Sequence, residues 1–242
     1  MIGQAALGRL RGSAVMVAGL GGVGSAAAEA LARSGIGRLI LVDADVVTPS
    51  NLNRQLVASS QAMGKHKADA MSKRIAEVAP GCRAEPLILF LDKENIPGIL
   101  KETKPDYVVD AVDNVSAKLF LAVSCSGMGI PLISCMGTGN KLDPTRFRVS
   151  DIYKTDICPL ARVMRRELRR KGVPSLRVVW SDEPPLLPAR AGERGDPAAG
   201  RGRTAVGSVS FVPPVAGMIA AGEAIRDLMR PCGERGQKPH YD

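Results

Sequence analysis

The stretch VMVAGLGGVGSAAAEALARSGIGRLILVDADVVTPSNLNRQ, residues 15–55, decides the fold. SAVMVAGL (13–20) is a short apolar run that ends at glycines, which predicts a buried strand. VGSAAAEALARSG (23–35) is rich in alanine and predicts a helix stopped by Gly35. RLILVD (38–43) predicts a second buried strand. Gly19, Gly21 and Gly24 place a G-x-G-x-x-G turn between the first strand and the helix, and Gly22 within it joins the cofactor candidates. There the backbone amides and the helix N-terminus converge on one point, a natural phosphate site. Asp43 ends the next strand, where an acid accepts hydrogen bonds from ribose hydroxyls. A dinucleotide-dependent oxidoreductase needs nothing more. This chain continues with DADVVTPSNLNRQ, which adds Asp45, Asn51 and Arg54 to the candidates.

Outward from that stretch the alternation persists. KHKADAMSKRIAEVAP (65–80) predicts a helix ended by Pro80, and RAEPLILF (83–90) a weak strand whose Pro86 suits a sheet edge. YVVDAV (107–112) and PLISCM (131–136) predict strands, with the helix SAKLFLAVSCSGMG (116–129) between them. Strands alternating with helices predict an α/β fold, a doubly wound Rossmann-like and mainly parallel sheet. After Gly139 the pattern changes to an α+β extension. RFRVSDI (146–152) alternates as a half-exposed strand, CPLARVMRRELRRKG (158–172) is helical, and LRVVW (176–180) is a short strand. Residues 183–205 are dense in Pro, Gly, Ala and Arg and predict a mobile loop. A short strand and then a helix from near Pro214 are expected within 207–229, followed by a frayed tail over 231–242. Residues 1–139 are thus the expected nucleotide region and 140–230 an extension of the same domain.

Composition narrows the partners. Lys and Arg exceed Asp and Glu by 33 to 24, a net charge of +9. That excess fits a polyanion such as nucleic acid, or only a basic proteome. Aromatics are 3% of residues, too few for a base-stacking sheet. The five cysteines form no CxxC pair, so disulfide frameworks and four-cysteine zinc sites are not expected, and a reducing cytoplasm is. No apolar run reaches the roughly 18–20 residues of a membrane span.

An Arg and a Lys beside a phosphate turn have no task in hydride transfer. Arg54 and Lys67 suit a triphosphate attacked at its α-phosphorus, where they stabilise charge developing on oxygen. DAVDN (110–114) ends a strand on the same sheet edge, so Asp113, beside Asn114, is placed to hold a magnesium ion bridging phosphate oxygens. Taken singly, each is equally well a solvated loop charge; their shared position favours a site.

The combination of GLGGVGS, VDADVVTPSNLNRQ, GKHKA and DAVDN resembles the adenylating enzymes related to ubiquitin activation, the ThiF, MoeB and HesA types. The resemblance implies ATP and magnesium, with Gly21 at the phosphate turn, Asp43 at ribose, Asn51, Arg54 and Lys67 at the phosphates, and Asp113 at the metal. It implies a carboxylate and ATP giving an acyl-adenylate and pyrophosphate, in a homodimer. Relatives place an amino-terminal arginine near the partner's ATP. Here 12 residues precede the first strand, so Arg9 or Arg11 is the expected counterpart. The carboxyl-terminal half, from GTGNKLDPTRFRVSDIYKT to GSVSFVPPVAG, looks like the tRNA threonylcarbamoyladenosine dehydratase branch. That branch implies a tRNA substrate and, as a further partner, a cysteine desulfurase or sulfur acceptor. The alternatives are an adenylyltransferase for the Gly-Gly tail of a sulfur-carrier protein, an NAD-dependent oxidoreductase, and a catalytically silent scaffold on tRNA.

Arg162, Arg165, Arg166, Arg169 and Arg170 recur at helical spacing and make one face, with Leu160, Val163, Met164 and Leu168 opposite. That face is either an RNA phosphate contact or a solvated amphipathic surface. Cys158 and Cys232 are thiol candidates, though a buried or idle cysteine is the commoner case. His66, between two lysines, reads as a helix-surface residue.

Overall fold

A computed structural model describes residues 2–186 and 207–230. Seven strands form one sheet in the order β3-β2-β1-β4-β5-β7-β6. They are β1 (Ala14–Ala18), β2 (Arg38–Val42), β3 (Arg83–Leu87), β4 (Tyr107–Asp110), β5 (Leu132–Cys135), β6 (Phe147–Asp151) and β7 (Arg177–Ser181). All pairings are parallel except β6 with β7. Every residue of AVMVA in β1 and of YVVD in β4 is buried, as central parallel strands covered on both faces require. Among the described residues β3 pairs only with β2, so Pro86 lies on an edge strand, where its missing amide is tolerated. β6 closes the other edge with the half-exposed burial expected of RFRVSDI.

The helices are α1 (Gly3–Arg11), α2 (Gly22–Arg33), α3 (Lys67–Val78), α4 (Ile96–Thr103), α5 (Val115–Met128), α6 (Pro159–Arg170) and α7 (Val212–Leu228). One face of the sheet is covered by α2, α3 and α7 through Leu31, Met71, Ile75, Ala216 and Ala220. The other carries α4 and α5 through Ile96, Leu100 and Leu121. A third cluster seats α6 against α5 and β7 through Met164, Leu168, Leu119 and Trp180. The helices α2 and α7 cross closely because their contact is small: a Cβ on Gly217 would stand 2.1 Å from the Val23 carbonyl oxygen. Beyond residue 139 the same sheet continues, since β7 pairs with β5.

The structure adds two helices and changes two local expectations. The segment before β1 is a helix, α1, tied in by fully buried Leu10. Residues 96–103 form α4, which the sequence hides because IPGILKET carries Pro97 and Gly98; both fall in its first turn, where proline is tolerated. Residues 207–211 are not a strand. Gly207 instead exchanges two hydrogen bonds with Asn140, at 2.7 and 2.8 Å, and the helix begins at Val212. Glu183, expected to open the mobile loop, is buried and accepts from the amides of Leu142 and Asp143 at 2.9 and 3.1 Å. The remainder of that loop from 187 and the tail 231–242 lie outside the described residues.

Candidate active site

Strand order reverses at β1, which has β2 on one side and β4 on the other. In open parallel sheets that reversal opens a crevice beyond the carboxyl ends of the strands. A cavity of about 270 Å³ lies there, lined by Gly19, Gly21, Gly22, Asp43, Asp45, Arg54, Lys67, Asp113 and Asn114 among others. Residues dispersed over about 100 positions of sequence thus share one wall.

The glycines do different work. Gly19 has φ +84, open to glycine, and a Cβ on it would meet the Ala111 carbonyl oxygen at 2.7 Å. Gly21 is the extended N-cap of α2 and supplies no side-chain cap, which leaves the helix N-terminus open to an anion. Gly22 faces Pro213 and the Arg54 backbone. Gly24, expected among the cofactor contacts, lies outside the cavity lining. It lets α2 approach the turn: a Cβ there would stand 1.7 Å from the Gly19 carbonyl oxygen. Ser25 hydroxyl donates to the Gly21 carbonyl at 2.7 Å and accepts from Leu56 N–H at 3.1 Å. It thereby ties the glycine turn to the loop that carries Arg54.

Asp43 accepts from Leu20 N–H at 2.6 Å and from Asp45 N–H at 2.8 Å. Burial nevertheless holds its pKa above the ordinary aspartate value, against the lowering by those amides and by Lys67. Lys67 is the first residue of α3; it is buried and donates to the exposed Asp45 carboxylate at 2.7 Å. Arg54 is held by the Ser50 carbonyl and the Asn53 side chain at 2.9 and 2.8 Å. Asn51 is buried and outside the lining. Its side chain accepts from Thr48 N–H at 3.1 Å in a capping box, so it shapes the loop that presents Arg54. Asn114 caps α5 by accepting from Ala117 N–H at 3.0 Å. Asp113 is exposed to the cavity with neither a hydrogen bond nor an ion pair among the described residues.

Magnesium is tested by that free acid. No group of three or more His, Cys, Asp or Glu able to hold a metal exists among the described residues. A lone carboxylate fits magnesium when nucleotide phosphates and water supply the remaining oxygens, the usual arrangement for this ion.

Other expected residues lie elsewhere. His66 is the half-buried N-cap of α3 and does not line the cavity. Arg9 donates to the Met229 carbonyl at 2.6 Å and Arg11 is exposed; both precede β1, at the opposite end of the sheet from the crevice. Cys158 is buried at the N-cap of α6, and Cys232 lies outside the described residues. On α6, Arg162, Arg166, Arg169 and Arg170 are exposed, but Arg165 turns inward to Thr155. Arg166 and Arg170 pair with Glu167, and Arg169 lies over the Tyr153 ring at 5.1 Å. Val163 is 38% exposed and does not join the apolar face. Gln55, Phe90, Thr138 and Pro213 also line the cavity. The motif NLNRQ contained the signal for Gln55; the other three had none, since each arrives from a distant loop or helix end.

A model of the ThiF family matches residues 1–240. The chain belongs to the ThiF family. Within ThiF, it is 43% identical to the tRNA threonylcarbamoyladenosine dehydratase of Bacillus subtilis over 234 residues, 95% of this chain and 92% of the relative. The structure of E. coli tRNA N6-threonylcarbamoyladenosine dehydratase in complex with ATP superimposes with a TM-score of 0.84 at 33% identity, covering 97% of this chain and 93% of the other. The molybdopterin-synthase adenylyltransferase of E. coli, at 35% identity, matches only 52% of this chain.

Proposed function

We propose that this chain uses ATP to activate the carboxylate of a threonylcarbamoyl group on tRNA adenosine beside the anticodon, and then closes that group into a ring with loss of water and release of AMP. The observation that carries the reading is the joint placement of Asp43, Arg54, Lys67 and Asp113 around an uncapped helix N-terminus. The N-terminus of α2 and the Gly21–Gly22 turn receive the phosphates, and Asp43 receives the ribose hydroxyls. Lys67 exchanges its Asp45 partner for a phosphate oxygen, so its charge is already desolvated when negative charge develops there. Arg54 reaches the same oxygens from its loop. Asp113 would hold magnesium, which when bound would offset charge on the phosphate oxygens.

The dehydratase branch is favoured over sulfur-carrier activation by where the likeness runs. Kinship with the dehydratases spans both halves of the chain, whereas the molybdopterin-synthase enzyme matches about half. The exposed arginines of α6 are the proposed tRNA contact. A homodimer in a reducing compartment belongs to the same proposal. Among the described residues, no helix is long and apolar enough to cross a membrane, and the four cysteines are free thiols.

The test is AMP release from ATP and magnesium with threonylcarbamoylated tRNA, followed by nucleoside mass analysis. AMP together with loss of one water from the modified adenosine supports the proposal. Pyrophosphate exchange that depends instead on a Gly-Gly-tailed protein overturns it in favour of the sulfur-carrier branch.

A further inference from the structure

Beneath the cavity, three fully buried polar side chains meet from three elements. Asp110 ends β4, Lys118 lies on α5 and Ser134 on β5, each with zero exposure. Lys118 Nζ donates to Asp110 Oδ2 at 2.9 Å, and Ser134 Oγ donates to the same oxygen at 2.5 Å. Lys118 Nζ also lies 3.2 Å from Ser134 Oγ. Two donors on Oδ2 leave Oδ1 for the chain itself, and it accepts from Val112 N–H at 3.2 Å. Stability alone is a poor account of such a group. Desolvating two charges offsets most of their attraction, and apolar replacements of a buried pair are often neutral or stabilising.

The position of the group gives it a use. Ala111 N–H bonds to Ala18 O at 2.8 Å, and Gly19 is in contact with the Ala111–Val112 peptide. At the other end, Asn114 is pinned by its cap, and Lys118 N–H donates to the Asn114 carbonyl at 3.0 Å. The free acid Asp113 is therefore suspended between two fixed points. Lys118 acts at both: its amide holds Asn114, and its ammonium holds Asp110.

We propose that Lys118 and Ser134 are positioning residues for the adenylation site. Through Asp110 they fix the 111–114 turn, and so set Asp113 against the glycine turn. The proposal rests on the reading of Asp113 as the acid that meets magnesium beside the phosphates.

Amide deuterium exchange and calorimetry with α,β-methylene ATP, with magnesium or with EDTA, test it. The variants are Ser134→Ala and the charge-neutral pair Asp110→Asn with Lys118→Met, which leaves no buried charge unpaired. In both, exchange over 111–114 should rise about tenfold or more. The magnesium-dependent gain in affinity should shrink about fivefold or more, while affinity in EDTA stays within about twofold. Lys118→Arg should keep both properties near those of the parent chain. Unchanged exchange over 111–114 and an unchanged magnesium gain in Ser134→Ala and the paired variant overturn the proposal. Asp113→Ala runs in parallel. If it keeps the magnesium gain, the reading of Asp113 has failed, and the exchange result alone decides whether the clamp exists.

Discussion

At the scale of residues, the site combines charges that are already held with one that is free. Lys67 is buried and paired to Asp45. Replacing it with alanine should lower AMP formation by about 10²-fold or more. Calorimetry should show nucleotide affinity falling much less, because the glycine turn and Asp43 remain. Asp43 sets the pH response. Its folded pKa is raised, first by burial, so its ionised form is disfavoured by folding. Its own contribution to stability is therefore fully present below the unfolded pKa and is lost as pH rises through the folded value. Ribose binding needs the ionised acceptor and responds in the opposite sense. Nucleotide affinity should fall on acidification starting above the ordinary aspartate pKa of about 3.9, before the fold itself weakens. Asp43→Asn should bind more weakly at neutral pH and show a flatter affinity profile on acidification. An equally steep profile in both forms would assign the titration to another group. These charges were legible because each sits in a motif, just past a strand end or at a helix start. The buried Asp110–Lys118–Ser134 group was not, since its members lie 8 and 24 residues from Asp110 and meet only through the fold.

At the scale of elements, the phosphate site depends on two close approaches of backbone. Gly217 lets α7 lie on α2, and the same helix places Pro213 against Gly22 at the cavity wall. Gly217→Ala would drive a Cβ to 2.1 Å from the Val23 carbonyl, an overpacking worth about 1–3 kcal/mol or more. Thermal unfolding should show that loss, and nucleotide affinity should fall with it as Pro213 is displaced. Gly222→Ala is the control on the same helix. Its added Cβ meets only the Arg226 guanidinium, at 3.4 Å, and it should stabilise by about 0.5–1 kcal/mol. The core strands were readable because unbroken apolar runs flanked by glycine have one outcome in a parallel sheet. By contrast, α4 was hidden by Pro97 and Gly98, whose acceptability depends on helix position rather than identity. Segment 207–211 looked like a strand by composition, but Gly207 is bonded to Asn140 through both its amide and its carbonyl, and a strand exists only where a partner edge is available.

At the scale of the molecule, both edges of the sheet are legible in part: Pro86 marks one, and the alternation of RFRVSDI marks the other. The even arginine spacing of α6 gave a face but not its state. Spacing cannot show that Arg165 is committed to Thr155, or that Glu167 neutralises part of what Arg166 and Arg170 offer. This sorting makes the net charge of +9 testable. A cation that contacts RNA phosphate releases a counterion, so the slope of log affinity against log salt falls by about 0.7–0.9 for each contact removed. Arg162 and Arg169 are exposed and carry no ion pair among the described residues. Changing both to alanine should reduce the salt slope for tRNA by about 1.4–1.8 units, with little effect on thermal stability. Arg165→Ala should do the reverse: the slope holds, while unfolding temperature falls because Thr155 loses the donor to its carbonyl and hydroxyl. Filter binding of tRNA across a salt series reads both. If the Arg162 and Arg169 variant keeps the full slope, α6 is a solvated face, and the polyanion must meet basic residues elsewhere on the molecule.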